Sequence, residues 1–123
     1  MQLTRDTTPA YLIRAYERGQ IRVAERWLQG HVIVAPDRVI ESWRVESAVH
    51  LTLADLAPAI ALQPQILLLG TGATLDWPEA DLMAELAARA IGLEIMSTPA
   101  ACRTFNVLAQ EQRRVVAALL NPS

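Results

Sequence analysis

Three short runs in the second half of the chain, ILLLG at 66–70, LEIMS at 93–97 and RRVVAALL at 113–120, are separated by stretches of helix length. The first is wholly apolar, as in strands covered on both faces; strands with one face in water alternate instead. The third would extend the preceding helix on pattern alone, but its paired valines after Arg113 and Arg114 favour a strand. A chain that repeats strand, helix, strand in this way must pack its helices on a partly parallel sheet. The reading is therefore an α/β layer fold.

The helices are marked by their ends. Thr52 caps a helix through TLADLAPAIAL, with Pro58 clouding its second half. The segment from about Pro78 to Ile91 places Leu82, Met83, Leu86, Ala87 and Ala90 on one face, and Gly92 ends it as a C-cap. Thr98 and Pro99 form an N-cap and N1 pair for a third helix running to about Gln110. Before residue 50 the texture differs. QIRVAERWLQGHVIVAPDRVIESWRV is rich in Val, Ile and Trp and is broken by Gly30 and by Pro36 with Asp37. This predicts an N-terminal antiparallel region with strands near 21–28, 31–35 and 38–45. There is no repeat, low-complexity tract or dividing linker, so residues 1–123 read as a single domain, long enough to bury roughly two thirds of its unfolded surface.

Composition excludes several function classes. Hydrophobic residues make up 52% and charged residues 20%, which suits a packed soluble globule. The net charge is −2 and no basic block occurs, so nucleic acid is not an expected partner. All eleven basic residues are arginine, which removes Schiff-base and P-loop lysine chemistry. Cys102 is the single cysteine; it permits no internal disulfide and fits a reducing compartment. The charged amino end lacks the apolar centre of a signal peptide, and no run approaches a membrane span. The expectation is a cytoplasmic protein.

Topology places a candidate site. Two parallel strands would end side by side, one at Gly70, Thr71 and Gly72, the other at Ser97 and Thr98. Ligands of open α/β sheets bind just beyond such ends. Trp77 follows the glycine loop, and the helix beginning at Thr98 carries Cys102, Arg103, Thr104 and Asn106. These ten residues define a crevice for a ligand or a protein partner. The helix N-terminus and Arg103 would favour an anion or a carboxylate.

Each part has a plainer reading. GTGATL begins like a dinucleotide fingerprint, but Leu75 holds the third glycine position and Asp76-Trp77-Pro78 delays the helix, so a tight turn is the better account. Cys102 beside Arg103 would have a lowered pKa if exposed; a nucleophile also wants a base, and nothing places His31 or His50 near it, so a core cysteine is favoured. Two separated histidines do not make a metal site, and no cofactor is implied. Asn106 is a poor helix former among apolar neighbours, which calls for a specific partner for its amide. Arg103, Thr104 and Asn106 either fix the helix to a loop or bind a guest. Trp27, Trp43 and Trp77 are core anchors or interface residues, with Trp77 the most exposed.

The GTG at 70–72 and GLEIMSTPAACRTFNVLAQEQRRVVAALL at 92–120, with Gly30, Pro36 and Trp43 upstream, resemble a family of unknown function. That family includes mitochondrial complex I assembly factor 3, an adipogenesis-associated protein and many prokaryotic members. The resemblance runs from about residue 12 to 120. It implies a three-layer α/β fold with a central mixed sheet whose last strand is antiparallel. It implies assembly through protein contacts, with no established catalytic residues. Phe105 stands where relatives have tyrosine and Gln112 where glycine is usual. A prokaryotic cytoplasmic member is the simpler reading.

Two functions remain open from the sequence. One is a non-enzymatic binding or assembly module using this surface. The other is a small-molecule or anion-binding protein, or an enzyme, using the crevice between Gly70–Gly72 and Ser97–Arg103. Oligomeric state is not encoded in any feature above.

Overall fold

The computed structural model describes residues 9–122. A five-stranded mixed sheet forms the centre, built from β4 (Val32–Ala35), β5 (Arg38–Ile40), β6 (Ile66–Thr71), β7 (Gly92–Met96) and β8 (Val115–Leu120) in the order β5-β4-β8-β6-β7. A separate antiparallel sheet holds β1 (Ile13–Glu17), β2 (Gln20–Val23) and β3 (Arg26–Gln29). Among the described residues there are three helices: α1 (Leu53–Ile60), α2 (Ala80–Ala88) and α3 (Thr98–Gln110). The α/β reading and its mixed sheet hold.

The layers follow from period-two alternation in the central strands. Val32 and Val34, Leu68, and Val115, Ala117 and Leu119 face a core shared with the three-stranded sheet and α3. Their neighbours Ile33 and Ala35, Leu67 and Leu69, and Val116, Ala118 and Leu120 face a second core under α1, α2 and the segment around Trp43 to Leu51. Both faces of β8 are covered, which is why its run shows no polar alternation. Phe105 of α3 is fully buried in the first core, worth about 1.5–3 kcal/mol against leaving it in water.

Connection order explains why α2 and α3 lie on opposite faces. From β6 the chain passes through α2 to β7 on one side, then through α3 back across β6 to β8 on the other. Right-handed crossovers in opposite directions place their helices on opposite faces. The last strand runs antiparallel to β4, as the resemblance implies, and parallel to β6 on its other side. The carboxyl ends of β6, β7 and β8 therefore meet at one rim.

Several expected boundaries move for local reasons. The strand foreseen at 21–28 is two strands, because Ala24 turns at φ 53° and Val23 pairs with Arg26. The strand foreseen at 38–45 stops at Ile40, before Ser42 at φ 57°; Trp43 N–H instead donates to the His31 carbonyl at 3.0 Å. Strand β1 was not foreseen. Its exposed Arg14 and Glu17 break the apolar pattern. Helix α1 keeps its Thr52 cap: Asp55 N–H donates to Thr52 Oγ1 at 3.1 Å, and Thr52 N–H donates to Asp55 Oδ2 at 3.0 Å. Pro58 lies inside that helix without ending it.

Helix α2 starts at Ala80 rather than Pro78, and Gly92 does not cap it. Ala90 takes the left-handed turn at φ 59°, with Ile91 N–H donating to the Leu86 carbonyl at 3.2 Å, and Gly92 opens β7. On its inner face Leu82 and Leu86 are buried, whereas Ala87 and Ala90 are exposed. The cap of α3 falls one residue earlier than Thr98. Ser97 Oγ accepts from Ala100 N–H at 3.4 Å, which makes Thr98 the first helical residue.

Candidate functional site

That one-residue shift frees the Thr98 side chain from capping. Its hydroxyl donates to the Leu120 carbonyl at 2.5 Å and accepts from Gly72 N–H at 2.8 Å, while Thr98 N–H donates to the Gly72 carbonyl at 2.8 Å. One fully buried side chain thus ties the ends of β6 and β8 to the start of α3. Gly70 is required by closeness: a Cβ there would lie 2.8 Å from Thr98 Oγ1 and 3.0 Å from Thr98 Cα. Gly72 is required by conformation, at φ 103°. The glycine turn and the Ser97-Thr98-Pro99 corner are neighbours, as topology demanded. They are bonded to one another, so no guest fits between Gly70 and Thr98.

Thr71, also buried, closes the following loop by donating to the Thr74 carbonyl at 2.6 Å and accepting from Asp76 N–H at 3.0 Å. Beyond this anchored turn the chain exposes two large apolar side chains, Leu75 at 48% and Trp77 at 57%. Among the tryptophans, Trp43 is buried with its indole N–H donating to the Asp55 carbonyl at 2.8 Å, and Trp27 is less exposed than Trp77. Trp77 is thus what this rim shows to solvent.

The four helix residues have different surroundings. Cys102 packs in the first core at 6% exposure, and burial pushes its thiol up to about 12 against a smaller opposing pull from Arg103. It stays protonated at neutral pH and is no nucleophile. Asn106 is the partner-seeking residue its position implied. Its Oδ1 accepts from Ile13 N–H at 2.8 Å and its Nδ2 donates to the Ile13 carbonyl at 2.7 Å, so the amide pairs with β1 as another strand would. Arg103 is exposed, and with Arg14 of β1 it lines a groove that includes no residue of the glycine turn. Thr104 is half-buried on the same helix.

Two residues that matter carry no local signal. Asn121, fully buried, has its Nδ2 donating to the Glu17 carbonyl at 3.1 Å and its Oδ1 accepting from Gly19 N–H at 3.3 Å, which holds the β1–β2 turn. Its own N–H donates to Nδ1 of His31 at 2.7 Å. That bond fixes His31 as an acceptor at Nδ1, and burial holds its pKa below the ordinary value. His31 and His50 then line one open cleft of about 750 Å³ with Trp43, Arg44, Glu46 and Asp55. Among the described residues, no three His, Cys, Asp or Glu side chains are placed to hold a metal ion.

The arrangement of sheet, corner and long carboxyl-terminal motif recurs in known proteins. Residues 13–120 match the family described as "Protein of unknown function (DUF498/DUF598)". The chain belongs to this family. A Danio rerio relative, named NADH dehydrogenase [ubiquinone] 1 alpha subcomplex assembly factor 3, is 32% identical over 122 residues, covering 98% of this chain and 70% of its own length. Among solved structures, a Xanthomonas campestris protein determined by NMR is 39% identical, with a TM-score of 0.82 over 96% of this chain and 89% of its own. A Bartonella henselae protein described as an outer membrane protein is 32% identical, with a TM-score of 0.82 over 94% of this chain and 98% of its own. Among the described residues of this chain, no helix is long and apolar enough to cross a membrane.

Proposed function

We propose that the chain is a non-enzymatic protein-binding module of the assembly-factor kind, acting in the cytoplasm. Its contact surface centres on the loop that follows the glycine turn. The observation that carries this reading is the pairing of a rigid base with an exposed apolar tip: Gly72 and Thr71 are anchored through Thr98, Thr74 and Asp76, and Leu75 and Trp77 stand in solvent beyond them. A large aromatic held at low conformational cost is the usual anchor of a protein interface. The likeness to a relative named as a complex I assembly factor supports a subunit of a respiratory NADH dehydrogenase as the partner.

The test is affinity capture from the source organism with the tagged wild type, Trp77→Glu, Leu75→Glu and the exposed control Arg89→Glu, read by mass spectrometry. Wild type and control are expected to recover NADH dehydrogenase subunits, and the two loop variants to lose them. Equal recovery by all four, or none by wild type, would remove this function from the loop.

A further inference from the structure

Arg14 on β1 and Arg103 on α3 line one open groove of about 260 Å³ together with Tyr16, Pro99, Cys102 and Asn106, with no carboxylate in its walls. Among the described residues, ion pairs join Arg22 to Glu25, Arg26 to Glu41 and Arg114 to Asp37; Arg14 and Arg103 are in none. Two positive charges are therefore brought to one small concavity without a protein counter-charge. The remaining polar groups do not neutralise them. The Asn106 amide is committed to Ile13, and the Cys102 thiol is kept protonated by burial. The first turn of α3, which contributes Pro99 to the groove, adds the positive end of a helix dipole.

We propose that this groove binds a phosphate monoester dianion on a small organic body, with Arg14 and Arg103 holding the phosphate and Tyr16 and Pro99 packing against the carbon part. The two guanidinium groups match the two charges of the dianion. Their planar forks suit phosphate oxygens better than point-charged ammonium groups would. The volume lies just below the usual range of ligand cavities, which limits the guest to a compact molecule. None of its lining residues belongs to the Leu75–Trp77 loop.

The test is an NMR and calorimetric titration of the full chain with phenyl phosphate, inorganic phosphate and benzoate. Phenyl phosphate should bind most tightly and move the side-chain signals of Arg14 and Arg103. Arg14→Gln and Arg103→Gln, both at exposed positions, should each weaken it about tenfold or more, the loss of a charge-assisted hydrogen bond. Arg38→Gln, a charge control elsewhere on the surface, should bind as wild type does, and circular dichroism checks that every variant is folded. Binding unchanged in both groove variants, benzoate as tight as phenyl phosphate, or no saturable binding of phenyl phosphate would each overturn the proposal.

Discussion

The side-chain amide of Asn106 occupies the place of a missing strand: both its polar atoms bond the backbone of Ile13, at 2.8 and 2.7 Å. A helix and a sheet normally meet only through apolar side chains, which fix distance but not register. Here two hydrogen bonds fix where β1 sits along α3. Asn121 does the same at the far end of the hairpin through Glu17 and Gly19. The three-stranded sheet is thus held at two points, and the groove formed by Arg14 and Arg103 has a set shape.

Asn106→Ala should destabilise the protein by about 2–4 kcal/mol, because it leaves two part-buried backbone groups of Ile13 without partners. Urea denaturation measures the loss. Amide exchange at Ile13 should accelerate by more than global destabilisation accounts for. A loss within the range of ordinary surface substitutions, with Ile13 still protected, would show that the clamp is not needed.

The rim makes a sharper demand. Thr98→Val keeps shape but removes the group that bonds Gly72 N–H and the Leu120 carbonyl, and should cost about 2–4 kcal/mol. Thr98→Ser should cost less, since the hydroxyl remains. Gly70→Ala forces a methyl against Thr98 and should cost about 1–3 kcal/mol. Chemical denaturation of the three variants gives the order, and Ser tolerated no better than Val would count against the hydroxyl.

His31 gives stability a dependence on pH. Burial holds its folded pKa below the ordinary 6.5, and Nδ1 accepts from Asn121 N–H, a bond that ring protonation would break. Above pH 6.5 the ring is neutral in both states and its contribution is complete. As pH falls from 6.5 through the lowered folded value, the unfolded chain binds the proton first and stability declines. Asp37, held low mainly by its hydrogen bond to Arg114, adds a further loss that begins only near its ordinary 3.8. Urea midpoints measured from pH 8 down to 5 should drop on the acid side, and His31→Gln should flatten that drop. An equally steep drop in the variant would assign it elsewhere.

Gln112 sits at φ 62° just after α3, where Arg113 N–H donates to the Leu108 carbonyl and Gln112 N–H to the Ala109 carbonyl, both at 3.0 Å. This is the helix stop that glycine fills without strain, and glycine is what the family resemblance implies there. Gln112→Gly should raise stability by about 1 kcal/mol, the left-handed strain relieved. A fall in the thermal midpoint would mean that the glutamine side chain contributes more than its backbone costs.

What could be read from the sequence was local. The apolar run before Gly70, the Thr52 cap, and the alternation of strands with helices each follow from residues within one or two turns of one another. They sufficed for the α/β class and for the meeting of the glycine turn with the Ser97–Thr98 corner. The core placement of Cys102 was favoured because cysteine is commonly buried and no base lay near it to make it a nucleophile. Boundaries slipped where a residue other than glycine took a left-handed turn, as Ala24, Ser42 and Ala90 do, since those residues carry no signal for it.

Only the folded chain decided the partners. Ile13 and Asn106 are 93 positions apart, Gly19 and Asn121 102, and His31 and Asn121 90. A periodic pattern tells which face of an element is buried, and so places Asn106 on α3, but it cannot tell which distant backbone that face will meet. The same limit hid the groove: Arg14 lies on a strand too polar to be seen in the sequence, and it joins Arg103 because a shared apolar core and two asparagines hold that strand in place.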